Sequence, residues 1–201
     1  MSWLNKRKSW VCTKMSFVVL LDANVLFPFT LRDFLVTLAT TELYQAKWTD
    51  QIHDEWTRNL LQDRPELAEA LPKTRELMNS AVPDCLVTGY EDLIDGLDLP
   101  DPDDRHVLAA AIRCAAQVIV TKNLKDFPSE VLDRFGITAQ HPDEFLAHQF
   151  ALRPSLLIRA AKEQRARWRN PPLTAEEYLD RLSAQGLVVT AEKLAAYADL
   201  V

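Results

Sequence analysis

The sequence predicts an α/β protein built on a parallel sheet, and three observations carry that prediction. Short apolar runs, Phe17 to Leu21 and Val118 to Thr121, read as strands buried on both faces. Segments of helical periodicity separate such runs, the pattern of βαβ units. The runs end in side chains able to do chemistry, Asp22-Ala23-Asn24 after the first and Thr121-Lys122-Asn123 after the other. In open α/β sheets, ligands bind outside the carboxyl ends of the strands.

The elements follow in order. The first strand spans 17–21. Pro28 precedes a helix of about 30–46, and Lys47-Trp48 reads as a short connector or strand. Thr49 or Asp50 caps a helix over about 50–62. Pro65 opens a helical stretch to about 81, with a kink expected at Pro72. Cys85 to Thr88 reads as a second strand ended by Gly89, and an acidic loop covers 91–103. Asp104 to Ala116 is an Ala-rich helix, followed by the strand 118–121. Ser129 to Phe135 is a short helix closed by Gly136, and Ile137 to Ala139 is a last strand. A helix from His141-Pro142-Asp143 runs to about 150. Residues 153–201 read as helical, in segments of about 153–168, 174–185 and 190–200 split by Asn170-Pro171-Pro172 and Gly186. Thr174 with Glu177 matches a capping box, and Thr190 is the expected cap of the last helix.

Composition bounds the class. A chain of 201 residues, 48% hydrophobic and 26% charged, suits one globular domain with a small appendage. No apolar run approaches the roughly 20 residues of a membrane span. Met1 to Lys14 reads as a disordered tail ahead of Met15, outside the fold. Cys12, Cys85 and Cys114 are odd in number and scattered, which fits a reducing, cytoplasmic setting without disulfides or zinc. Net charge is −6, and residues 1–150 hold 15 Lys and Arg against 23 Asp and Glu. That acidity excludes a protein that coats DNA through a basic face. It leaves room for an enzyme that meets nucleic acid through a bound cation.

Four positions, Asp22, Glu55, Asp104 and Asn123, gather by this reading, with Asn24, Thr121 and Asp126 beside them. Asp22 and Asn24 sit at a strand tip, where the alternative is a turn or helix cap. On a helix starting near 104, Leu108, Ala111, Ile112 and Ala115 form the apolar face, and Asp104 falls in line with it. The helix dipole favours a carboxylate there, so a first-turn acid of no further consequence is the alternative. Asp101-Pro102-Asp103 reads as a solvated turn. Glu55 borders the stripe Ile52, Trp56, Leu60 and can reach a cleft beside the sheet, or pair locally with Arg58 or Asn59. Thr121, Asn123 and Asp126 follow the later strand. Several carboxylates in one cleft repel unless a divalent cation neutralises them. Oxygen ligands select Mg²⁺ or Mn²⁺. The four histidines, His53, His106, His141 and His148, share no ligand spacing and read as structural or surface residues.

These pieces, in order, resemble the PIN domain, and within it the VapC-type ribonuclease toxins of prokaryotic toxin–antitoxin pairs. The matching segments are Leu20-Leu21-Asp22-Ala23-Asn24-Val25-Leu26, Glu55 in a helix ending Arg58-Asn59-Leu60-Leu61, Asp103 to Ala111, and Val118 to Phe127. The resemblance covers about residues 16–150. It implies a three-layer α/β/α fold with a parallel central sheet over 15–150; residues 151–201 read, from their own pattern, as an all-helical extension. It implies metal-dependent endonucleolytic cleavage of RNA, with Asp22, Glu55 and Asp104 as the metal-binding catalytic acids. The family often carries a fourth acid where this chain has Asn123, and Asp126 is the substitute three residues on. Asn24, Thr121 and Asn123 would orient the acids, and Arg105 or Lys122 would touch substrate phosphate. The partners it implies are an RNA substrate and a small cognate antitoxin, with a homodimer as the expected assembly.

The resemblance stops before Arg153 to Arg169, which holds six Lys and Arg against Glu163 beside an apolar face of Leu156, Leu157, Ala160, Ala161 and Trp168. An amphipathic helix packed on the domain is the first expectation; a basic lip for RNA and an antitoxin face are the others. The rival to a nuclease is a catalytically weak or inactive scaffold binding RNA or protein in the same cleft. A phosphotransfer domain, which also places an Asp after its first strand, fits less well, because Asn24 stands where one such pattern needs a second acid.

Overall fold

A computed structural model describes residues 17–201, and the expected tail, Cys12 and Met15 lie outside them. Among the described residues, β1 (Val18–Leu21) leads into a single-turn helix α1 (Ala23–Leu26) and then α2 (Phe29–Ala39), β2 (Gln45–Lys47), α3 (Asp50–Asp63) and α4 (Leu71–Ala81). After a loop come α5 (Arg105–Arg113), β3 (Val118–Val120), α6 (Ser129–Leu132), β4 (Thr138–Gln140) and α7 (Pro142–Leu152). The C-terminal region is helical: α8 (Pro154–Arg167), α9 (Ala175–Ala184) and α10 (Val188–Ala195).

The four strands form one parallel sheet in the order β2-β1-β3-β4. Leu20 pairs with Lys47 on one side and Ile119 on the other. The chain first steps outward from β1 to β2, then returns to place β3 on the opposite flank. The order therefore reverses between β1 and β3, the position at which open parallel sheets bind ligands. Val19, Leu20, Leu21, Ile119 and Val120 are fully buried. Trp48, Trp56, Tyr44, Tyr178, Phe34 and Phe145 are the largest enclosed side chains among the described residues. Tyr44 meets Phe145 edge-on at 5.0 Å and donates its hydroxyl to the Leu35 carbonyl at 2.7 Å, so its one polar group is satisfied.

Several boundaries differ from the sequence expectation for physical reasons. The helix expected to reach 46 ends at Ala39. Thr40 and Thr41 turn their hydroxyls back onto the carbonyls of Thr37 and Leu38, both at 2.7 Å, and Glu42 adopts a left-handed φ of 59°. That frees Gln45 to Lys47 to form the sheet edge. Cys85 to Thr88 makes a single bridge, Leu86 with Trp48, rather than a strand. Pro72 causes no kink, because it lies in the first turn of α4, where a missing N–H costs nothing. Thr190 lies inside α10 instead of capping it. The carboxylate of Asp143, on α7, accepts from the N–H of Val189 at 2.9 Å and of Thr190 at 2.8 Å. A residue 46 positions away thus does the capping that the local sequence does not.

The C-terminal helices pack on the domain. Gln164 of α8 is buried; its amide donates to the Thr30 carbonyl and to Asp33, and its oxygen accepts from Tyr178 at 2.6 Å. Arg167 pairs with Asp33 at 2.5 Å. Arg165 donates to the carbonyls of Val201 and Leu173, while Arg153, Arg159, Lys162 and Arg169 are exposed. No helix among the described residues is long and apolar enough to cross a membrane.

Candidate metal centre

The site begins where β1 ends. Asp22 caps α1: its Oδ1 accepts from the Ala23 N–H at 2.6 Å. Its Oδ2 accepts from Thr121 Oγ1 at 2.7 Å and Asn24 Nδ2 at 2.5 Å. Asn24 also donates to Thr121 Oγ1 at 2.9 Å and accepts from the Lys122 N–H at 2.9 Å. The tips of β1 and β3, 99 residues apart in sequence, are therefore locked by one hydroxyl and one amide. Asp22 is only 3% exposed. Burial pushes its carboxyl upward, the Thr121 hydroxyl and Ala23 N–H pull it back, and Glu55 raises it further.

Asp104 sits on a 3-10 turn, Pro102–Asp104, just ahead of α5. It occupies the cap position but makes no side-chain capping bond, so its carboxylate is free for the cleft. One oxygen each of Asp101, Asp104 and Asp126 lies within 4.8 Å of the others. Burial raises the Asp104 carboxyl to about 7, and Asp22, Asp101 and Asp126 push in the same direction. At about 5 Å, two ionised carboxylates repel by roughly 3 kcal/mol at an effective dielectric near 20. A divalent cation removes that cost, and an all-oxygen donor set suits Mg²⁺ or Mn²⁺.

Asp126 is 92% buried, being 8% exposed. The Asn123 side-chain amide donates to its Oδ2, and the Asn123 N–H donates to Thr121 Oγ1 at 3.0 Å. Asn123 brings no charge, but it aims the acid three residues on. Glu55 faces α5, with its Oε1 2.8 Å from His106 Nε2. Lys122 stands beside Asn24 at the mouth. Arg105 reaches toward Asp98, Nη2 to Oδ1 4.0 Å, with its Nε buried and unpartnered.

Asp104 and Asp126 thus come together with Asp101, and Asp22 and Glu55 are close enough to act on one another's charge. Two residues exceed the sequence reading. Asp101 was expected in a solvated turn; it joins the cluster because the tight turn places residues three apart on one side. His106 was expected to be structural or surface-facing; it is 2% exposed and holds Glu55. Its signal in the sequence was weak: a histidine two residues beyond a cleft acid. His53 is structural. Its Nδ1 accepts from Trp56 Nε1 at 2.9 Å, and its Nε2 lies 3.0 Å from Asn79 Oδ1.

A profile described as the PIN domain matches residues 18–125, and one described as the VapC50 C-terminal domain matches residues 142–196. A protein of Mycobacterium tuberculosis (strain ATCC 25618 / H37Rv), named "Putative ribonuclease VapC50", is 42% identical over 97 residues, 48% of this chain. The chain spans little more than half the length of that relative, 57%. No solved structure matches the chain significantly.

Proposed function

The chain belongs to the PIN-domain family, and from that premise we propose that it is a metal-dependent endoribonuclease, the toxin of a toxin–antitoxin pair acting in the cytoplasm. The observation that carries this reading is the meeting of Asp101, Asp104 and Asp126 at the switch point, with Asp22 near enough to act on Asp104, whose carboxyl is raised to about 7 by burial first and by these like-charged neighbours second. An uncompensated acidic cluster destabilises a fold, and a function that needs a cation is the physical reason to keep one. The name and partial match of the mycobacterial relative support the choice of RNA as substrate.

Asp22, Glu55, Asp104 and Asp126, with Asp101, would hold Mg²⁺ or Mn²⁺. When bound, such an ion lowers the pKa of a water and offsets charge on a scissile phosphate. The chain's own residues prepare that site. Thr121 and Asn24 fix Asp22 so that no rotamer search precedes binding. Asn123 does the same for Asp126, and His106 for Glu55. Lys122 meets the phosphate at the mouth, with Arg105 as the second cation flanking Asp104. An antitoxin that extends an Arg into the carboxylates would plug the site by charge.

The test is cleavage of a mixed RNA pool by purified protein with Mg²⁺ or Mn²⁺, beside EDTA and an Asp22→Asn variant. Cleavage that vanishes in both controls supports the nuclease. Equal inertness of wild type and variant, with the metal still bound, supports the scaffold alternative instead.

A further inference from the structure

A groove of about 1210 Å³ is lined both by Asn24 and Lys122, which border the acidic site, and by Trp168 and Gln185 of the C-terminal region. That exceeds the roughly 300–1,000 Å³ of a small-molecule cleft. Phe29 and Arg64 line the groove as well. Asn24 is thus shared: its amide holds Asp22 while its other face borders the groove.

We propose that this groove is the track along which single-stranded RNA enters the site, with Phe29 and Trp168 as its base-stacking platform. The inference rests on the nuclease reading above and deepens it: the C-terminal helices become one wall of the substrate channel. Three observations carry it. Phe29 is 58% exposed, a large aromatic ring facing open groove. It meets Trp168 edge-on at 6.3 Å, and the Arg181 guanidinium lies over the Trp168 ring at 4.5 Å. This fixes the two rings relative to each other across the gap between domain and extension. The charge of the groove also opposes that of the chain. Its ionisable lining is Arg32, Arg64 and Lys122 against Asp63, whereas the whole protein carries −6. Arg32 is only 6% exposed and held by the carbonyls of Leu26 and Phe27, so it contributes field rather than contact; Arg64 is paired with Glu66 on the surface, and Lys122 is the lining cation that is exposed for contact with a phosphate.

Cations that follow a backbone, beside aromatic faces that accept any base, describe a single-strand site. A duplex keeps its base faces stacked and could not use Phe29 or Trp168. A protein helix would gain nothing from the cationic lining unless it were acidic.

The test measures binding of a short labelled single-stranded RNA by fluorescence anisotropy in EDTA, with the same sequence as duplex. Phe29→Ser and Trp168→Leu should each weaken single-strand binding by roughly 5- to 150-fold and leave duplex binding unchanged. Phe29 is exposed, so its variant keeps the fold even where the Trp168 variant does not. Lys122→Ala should lower the slope of log affinity against log salt by about 0.7. Photo-cross-links from 4-thiouridine RNA should map to Phe29 or Trp168. The groove assignment is overturned, with the nuclease reading intact, if wild type cleaves RNA while Phe29→Ser and Lys122→Ala retain full affinity. It is also overturned if a co-purifying protein covers Phe29 and Trp168 without competing with RNA. If wild type neither binds nor cleaves RNA, both readings fall together.

Discussion

Replacing Asp104 by Asn should make the metal-free protein more stable while destroying its metal response. The carboxyl is raised from 3.8 to about 7, about three units, and each unit corresponds to about 1.4 kcal/mol. Asp104 is only half-buried, so solvent screening cuts the undiscounted ~4 kcal/mol to about 2 kcal/mol. The sign follows from where the extra proton binds. Between pH 3.8 and about 7 the folded state takes up a proton that the unfolded state does not. The destabilisation is therefore complete above about pH 7, and it fades as pH falls toward 3.8. Asn has the same shape and no charge, so at pH 8 in EDTA the variant should gain about 2 kcal/mol, or roughly 4–8 °C in melting temperature for a chain of this size. Saturating Mn²⁺ should reverse the order: at a hundred times Kd, the ion stabilises wild type by about 2.7 kcal/mol, and the variant gains little. Thermal and urea denaturation at pH 8 and pH 5, with EDTA and with MnCl₂, read both effects. The reasoning is refuted if Asp104→Asn shows no gain at pH 8, or the same gain at pH 5.

Three further outcomes follow from the same contacts. Thr121→Val keeps the shape but removes the hydroxyl that donates to Asp22 Oδ2; Mn²⁺ affinity, measured by titration calorimetry, should fall about 10- to 100-fold. His53 is buried and held neutral, with its pKa lowered by burial. Its contribution to stability is present above the unfolded value of 6.5 and lost as pH falls below it. In an Asp22→Asn, Asp104→Asn background, which removes the two opposing carboxyl titrations, the urea midpoint should drop between pH 7.5 and 5.5, and a flat profile would contradict this. Asp143→Ala strips the cap from α10, leaving the Val189 and Thr190 N–H groups without their partner. It should cost about 1–3 kcal/mol, and hydrogen exchange should accelerate in α10 before it does in the central sheet.

Local pattern is enough for the class of fold and for placing Asp22, Asp104 and Asp126 next to strand or helix ends. The apolar runs at Val18–Leu21 and Val118–Val120, bounded by polar tips and separated by helical segments, read as covered parallel strands, and the acids at their tips follow from position. Thr49, Thr174 and Glu177 could be read as caps because capping is a contact between near neighbours, and the structure has both caps in place. Local pattern failed where a distant partner decided. The strand at Gln45 to Lys47 exists because β1 offers it an open edge, and Cys85 to Thr88 remains one bridge because only Trp48 meets it. Thr190 lost the capping position to Asp143, which only tertiary folding brings near. The makeup of the acidic cluster was decided at the same level. Asp101 joins through a turn, Asp126 is aimed by Asn123, and Glu55 is held by a histidine on another helix. Periodicity reports which face of an element is buried. Which carboxylates share a cleft depends on how helices and strands from opposite ends of the chain pack, and that is a property of the folded sheet alone.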